Sequence, residues 1–142
     1  MVELKVDASA KTKTGWQPIH LAAQGGHLKV VNRLVELKVD ASARGNDGWQ
    51  PIHCAAQGGH LKVINRLVEL EVDASAQTKE GWQPIHIAAQ GGHLEVVNRL
   101  IELEADASAQ TKDGRQPIHF AAQGGHLEVI NRLVELKVDA SA

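Results

Sequence analysis

The apolar and polar positions of this chain repeat one phrase every 33 residues, each copy marked by a glycine: Gly15, Gly48, Gly81 and Gly114. In the first copy, Ile19, Ala22 and Ala23 follow Pro18 at helical spacing, with Leu21 beside them. Pro18 suits the first position of a helix, where its missing N–H would have had no partner. The paired alanines let this short helix approach a neighbour closely, and Gly25-Gly26 stops it. A second helix starts near His27. Its Leu28, Val31, Leu34 and Val35 fall at i, i+3, i+6 and i+7, one apolar stripe. Arg33 and Glu36 lie on a more polar side, three apart and within reach of each other. Lys11 to Gly15 is polar and closes with glycine, a turn signature, and Asp40 to Ala43 reads as a small polar loop.

One stretch competes with this reading. Val35, Leu37, Val39 and Ala41 alternate with Glu36, Lys38 and Asp40, the period of a strand. A β/α solenoid with one strand per repeat is therefore an alternative. Leu34 argues for helix, because it fits the helical stripe and breaks the alternation.

The repeats account for the whole chain. A ten-residue lead, 1–10, precedes units 11–43, 44–76, 77–109 and 110–142, expected to form one continuous solenoid domain. Val2 to Ala10 reads VELKVDASA, as do Val35 to Ala43 and Val134 to Ala142, so the lead is the end of a partial repeat. Terminal repeats of solenoids usually carry a polar outer face. The fourth unit instead keeps the apolar positions of the others, which leaves end-to-end self-association open. The formal net charge of −2 gives no global basic field for nucleic acid or an anionic membrane. Charge is uneven by unit: −1 in the lead, then +3, −1, −3 and 0. No apolar run approaches the roughly 18 residues a membrane span needs. The start lacks the basic region and apolar core of a secretory signal. The single cysteine, Cys54, allows no intramolecular disulfide and fits a reducing compartment. A cytoplasmic protein is the expectation, with secretion lacking a cleaved signal left open.

The period, together with Gly15, Pro18-Ile19-His20, Ala22-Ala23, Gly26-His27, Val30-Val31, Leu34 and Asp40 and their counterparts, resembles the ankyrin repeat. The resemblance covers the whole chain, and motif and period agree in all four units. It implies an all-α solenoid of stacked helix–turn–helix units with short hairpin-like turns, acting as a non-enzymatic protein-binding module. Three departures recur in every unit. Gln17, Gln50, Gln83 and Gln116 replace the family's threonine, and glutamine is a poor N-cap, a loss of about 1 kcal/mol unless the amide finds the same donor. Lys38, Glu71, Glu104 and Lys137 replace the glycine that ends the second helix, at a cost of roughly 1 kcal/mol if the left-handed conformation is kept. Arg33, Arg66, Arg99 and Arg132 replace an aliphatic residue, stacked about 10 Å apart. In all, 22 of 33 columns are identical, including exposed ones such as Asn32. Duplication of one idiosyncratic unit explains this, in a natural array or in a scaffold built from it.

Candidate chemistry is sparse. All eight histidines fall in two columns, His20 with His53, His86 and His119, and His27 with His60, His93 and His126. A pair seven apart and split by Gly-Gly lacks the geometry of a helical metal site, with no cysteine ligand nearby, so no metal is expected; the resemblance implies backbone and loop hydrogen bonding for them. Cys54 shares a column with Leu21, Ile87 and Phe120 and reads as core. No catalytic triad or phosphate loop is present, and no cofactor is expected. The columns that vary and face outward are the turns, with Gln24-Gly25 and its copies completing the face. As the resemblance places its recognition face there, candidate partner-binding residues are Lys13, Thr14 and Trp16; Asn46, Asp47 and Trp49; Lys79, Glu80 and Trp82; and Lys112, Asp113 and Arg115. Lys11, Arg44, Gln77 and Gln110 stand in the same turns. Trp and Arg are the types most enriched in binding hot spots. Three tryptophans in register form an aromatic ladder on the concave side, or else each packs flat on its neighbour turn.

Overall fold

The computed structural model describes the backbone of residues 6–141 and the side chains of 6–136; the first half of the lead and Ala142 lie outside the described residues. Eight helices alternate short and long: α1 (Pro18–Gln24), α2 (Leu28–Glu36), α3 (Pro51–Gly58), α4 (Leu61–Glu69), α5 (Pro84–Gly91), α6 (Leu94–Glu102), α7 (Pro117–Gly124) and α8 (Leu127–Ser141). No strand forms among the described residues, so the alternating stretch resolves to helix and loop. The short helices α1, α3, α5 and α7 stack on one another more closely than the long ones do. The alanine pairs explain this. Ala55, Ala56, Ala88 and Ala89 are wholly buried between neighbours, and a Cβ on Gly58 would sit 2.4 Å from the Gln24 carbonyl.

The glutamine before each proline does not cap its helix with its amide. The histidine three residues on does the work. The Gln17 N–H donates to Nδ1 of His20 at 3.0 Å, and the same bond joins Gln50 to His53, Gln83 to His86 and Gln116 to His119 at 2.9 Å. One orphan donor is thus satisfied, while the Oε1 atoms of Gln17, Gln50 and Gln83 stay buried without a partner among the described residues.

Lys38, Glu71 and Glu104 do adopt the left-handed conformation, with φ of 69°, 67° and 69°. Each closes a Schellman turn. The Lys38 N–H donates to the Val35 carbonyl at 2.9 Å and the Val39 N–H to the Leu34 carbonyl at 3.1 Å, with the same pairing at Glu71 and Glu104. The turn buries the next apolar residue, Val39 or Val72, at 6 % exposure, which offsets the strain. The fourth copy differs from the expected loop: α8 continues through Ser141. In the first three copies the turn continues with the Ser42, Ser75 and Ser108 N–H groups donating to Asp40, Asp73 and Asp106 Oδ1 at 2.8, 2.9 and 2.8 Å, and Ala43, Ala76 and Ala109 are buried.

The recurrent arginines are not a row of repelling charges. Arg66 Nε donates to Asn32 Oδ1 at 2.8 Å, Arg99 to Asn65 at 2.7 Å and Arg132 to Asn98 at 2.8 Å. Each also pairs with a glutamate one turn on, Arg66 with Glu69 and Arg99 with Glu102 at 3.1 Å. The constant asparagine therefore has a physical role, linking each long helix to the next. Because φ at Glu71 is 67° on an exposed residue, Glu71→Gly is expected to raise unfolding free energy by up to about 1 kcal/mol in urea titration. A loss of stability would contradict the strain argument.

Candidate functional site

Each turn is closed by two backbone bonds. In the first, the Thr12 N–H donates to the Trp16 carbonyl at 2.8 Å and the Gly15 N–H to the Thr12 carbonyl at 2.9 Å. Gly15 has a φ of 81°, a value open to glycine but strained for other residues. Successive turns are then joined by single backbone bonds. Asn46 N–H donates to Thr14 O at 2.8 Å, Lys79 N–H to Asp47 O and Lys112 N–H to Glu80 O, both at 3.0 Å. The turn tips therefore form one continuous edge, and their side chains project where no helix needs them.

In the first two turns the side chains of Thr14, Trp16, Asn46, Asp47 and Trp49 make contacts within the array, while Lys13 contributes only its carbonyl. Asn46 Nδ2 donates to the Lys13 carbonyl at 3.1 Å, and Asp47 Oδ1 accepts the Trp49 N–H at 3.0 Å with the Trp16 indole N–H at 3.5 Å. Trp16 lies flat over His20, ring centres 5.5 Å apart, and a Cβ on Gly45 would touch it at 2.4 Å. Trp16 and Trp49 approach to 5.9 Å with planes tilted 33°. Beyond them the ladder gives way to a different cluster. Trp82 meets Phe120 edge-on at 5.0 Å, and the Arg115 guanidinium lies 4.6 Å from the Phe120 ring centre and 5.5 Å from that of Trp82. All three tryptophans are half-buried against the core; Trp16 also lines a recess with Leu21 and Val30, and Trp82 lines a cleft between the third and fourth turns.

That cleft, about 380 Å³, lies between the third and fourth turns and is lined by Lys79, Glu80, Trp82, Lys112, Asp113 and Arg115. These are the other six candidates. Arg115 Nε donates to Asp113 Oδ2 at 2.9 Å. The Thr111 hydroxyl, also bonded to Asp113, and Arg115 together hold that carboxyl below its ordinary range. Lys79, Glu80 and Lys112 are exposed and form no ion pair among the described residues.

Seven of the eight histidines bond to backbone groups through their rings, His27 being the exception among the described residues. Since Nδ1 of His53 accepts a backbone N–H, its proton sits on Nε2, which donates to the Ala76 carbonyl at 2.8 Å. His86 does the same to Ala109 at 2.7 Å, and His20 to Trp49 at 2.9 Å. The second column reaches back to the preceding unit. His60, His93 and His126 bond through Nε2 to the carbonyls of Gln24, Gln57 and Gln90, each at 2.9 Å. Those carbonyls close the ends of the short helices. The same rings lie against Gly26, Gly59 and Gly92, where a Cβ would be 2.4 Å from Nδ1. The amides of Gln24 and Gln57 pair at 2.6 Å, a contact the repeat pattern did not announce. Cys54 is wholly buried, and burial pushes its thiol up to about 12, which keeps it protonated.

Stacked helix pairs joined by glycine-closed turns define a repeat solenoid that presents a row of turn tips. The family model described as ankyrin repeats (3 copies) matches residues 1–78 and again 63–142, and the chain belongs to the ankyrin-repeat family. Comparison with curated proteins found no match. Ankyrin repeats are generally protein–protein interaction modules and are typically non-enzymatic. No described helix is long and apolar enough to cross a membrane.

Burial lowers the His53 pKa from 6.5 to about 4 and lowers that of His86. An unfolded histidine takes up its proton near pH 6.5, the folded His53 only near 4, so its contribution is complete above 6.5 and lost as pH falls toward 4. The loss at His53 is on the order of 3 kcal/mol. Urea melts from pH 7.5 to 5 are expected to show stability falling with pH and a flatter profile for His53→Gln; equal slopes would refute this.

Proposed function

We propose that this chain is a non-enzymatic protein-interaction module that engages its partner through the turn tips and the first-helix face, the concave side of the array. The reading takes it as one continuous solenoid of units 11–43, 44–76, 77–109 and 110–142 after a partial unit at 1–10. A cytoplasmic location goes with the single buried cysteine, which suits a reducing compartment. The observation that carries the binding reading is the cleft between the third and fourth turns. It gathers Trp82 and Arg115, both hot-spot types, with three exposed charged side chains that no fold contact uses.

Peptide-display selection against the whole chain tests it. Replacing Lys79, Glu80 and Lys112 together by alanine is expected to weaken selected binders by about tenfold or more, with the circular dichroism melt unchanged. Glu95→Ala and Glu128→Ala on the long helices leave binding intact. Binders that respond to the long-helix changes and not to the turn changes would overturn it.

A second reading, self-association, draws on Leu21 and Val30, which are 50 % and 49 % exposed although Cys54 and Val63 in the same columns are buried. Sedimentation shows it as a mass that grows with concentration; a constant monomer mass would exclude it.

A further inference from the structure

Charge is distributed by element as well as by unit. The four turns carry Lys11, Lys13, Arg44, Lys79, Lys112 and Arg115 against only Asp47, Glu80 and Asp113, a net of +3. The short helices between them carry no charged residue, counting histidine neutral. With a chain total of −2, the long helices, loops and lead hold −5. The long helices sum to zero and the loops and lead hold the whole −5, so the positive charge is concentrated on the turns, where a low-dielectric recess focuses its field.

Within the recess the ions are unequally committed. Arg115 and Asp113 are paired with each other, and Asp47 of the neighbouring turn accepts the Trp49 N–H. Arg44 is held against the Gly48 and Gln77 carbonyls at 3.3 and 3.0 Å, which orients its charge without neutralising it. Lys79 and Lys112 occupy equivalent positions on adjacent turns, one on each side of the cleft, both exposed and both without an acidic partner among the described residues. The Trp82 ring lies in the cleft, half-buried and available to an apolar side chain.

Resting on the protein-binding reading above, we infer that the partner segment is an extended acidic peptide whose carboxylates bridge Lys79 and Lys112 while an apolar side chain between them lies on Trp82. Geometry sets its spacing. Stacked units step by about 10 Å, and an extended chain rises about 3.3 Å per residue with alternate side chains on opposite faces, so the acidic residues stand four apart with the apolar residue midway between them on the same face, a span of about 13 Å that the flexible lysine stems can meet. A nucleic acid would meet the same cations, but Glu80 and Asp113 also line the cleft, and they oppose a chain with a phosphate at every residue more than a peptide whose two carboxylates sit on the lysines.

The test uses fluorescence anisotropy of the full chain with a labelled synthetic peptide holding two glutamates four apart with a leucine midway between them. The expected result is binding tighter by about tenfold than for the same peptide with glutamines or lysines, weakened severalfold when salt rises from about 50 to about 300 mM. The Lys79→Glu, Lys112→Glu double variant, folded by circular dichroism, is expected to lose binding, and a peptide with lysines in place of the glutamates to gain. The inference is overturned if the lysine peptide or an oligothymidine of about fifteen nucleotides binds the unaltered chain as tightly as the acidic peptide. It is equally overturned if the double variant keeps its affinity. Display-selected binders that need the turn residues but are neutral or basic would sink this inference and leave the protein-binding reading standing; binders confined to the long-helix face would sink both.

Discussion

A single copy of this repeat has too few apolar side chains to bury a core alone, so each copy depends on the surface of the next. The short helices stack through alanine because any larger side chain would hold the backbones apart. Everything polar at that contact must then find a partner inside it, since an unpaired buried donor or acceptor costs more than a typical hydrogen bond returns. The two histidine columns meet that need. One caps its own helix through Nδ1 and closes the adjoining loop or turn through Nε2, at His53 to Ala76 for example. The other reaches back to the open carbonyls of the preceding short helix, as His60 does to Gln24. Neutral imidazole, which donates at one nitrogen and accepts at the other, suits the first task where lysine, a donor only, could not serve.

This explains why the glycines are not equivalent. Gly26, Gly59 and Gly92 are left-handed and also lie against a histidine of the following copy, so both backbone and space require glycine. The ends of the long helices need the same left-handed turn but face solvent, and a lysine or glutamate is tolerated there with strain. The arginines follow the same logic in polar form. Where an aliphatic residue would pack, Arg66 and Arg99 reach across to Asn32 and Asn65 and lean on Glu69 and Glu102. The contact between long helices thus remains specific while being partly open to water, where exposed ion pairs by themselves are worth little.

Since packing occupies the short helices and hydrogen bonding occupies the histidines, the turn tips alone are free to vary, and their variation produces different environments. Between the first and second turns, Asn46 and Asp47 tie the side chains to the backbone, leaving little for a partner. Between the third and fourth, Phe120 fills the column where smaller residues stand elsewhere, Arg115 covers it, and the cleft beside Trp82 stays open. The same edge carries a net positive charge. A partner thus meets a surface whose shape and sign come from a handful of substitutions on a constant frame.

Much of this was legible in the residues. The period, the two helices of each copy and the core column of Cys54 follow from spacing and from proline and glycine, because these act within a few residues of themselves; the structural role of the histidines follows from the resemblance. Lys38 in a left-handed turn was legible too, as a departure with a known cost. Other features were not. His20 as the cap in place of Gln17, the Asn32–Arg66 bond and the division of the twelve candidate turn residues between contacts within the array and the cleft all join groups about 30 residues apart or depend on side-chain direction. The run of helix through Leu127–Ser141, where the first three copies turn, was not legible either. The sequence by itself determined the repeat, its helices and the places where variation is allowed, since those are local consequences of propensity and pattern. The tertiary structure alone decided which polar groups pair and which turn residues remain open, because each of those depends on the neighbouring copy lying within hydrogen-bonding distance.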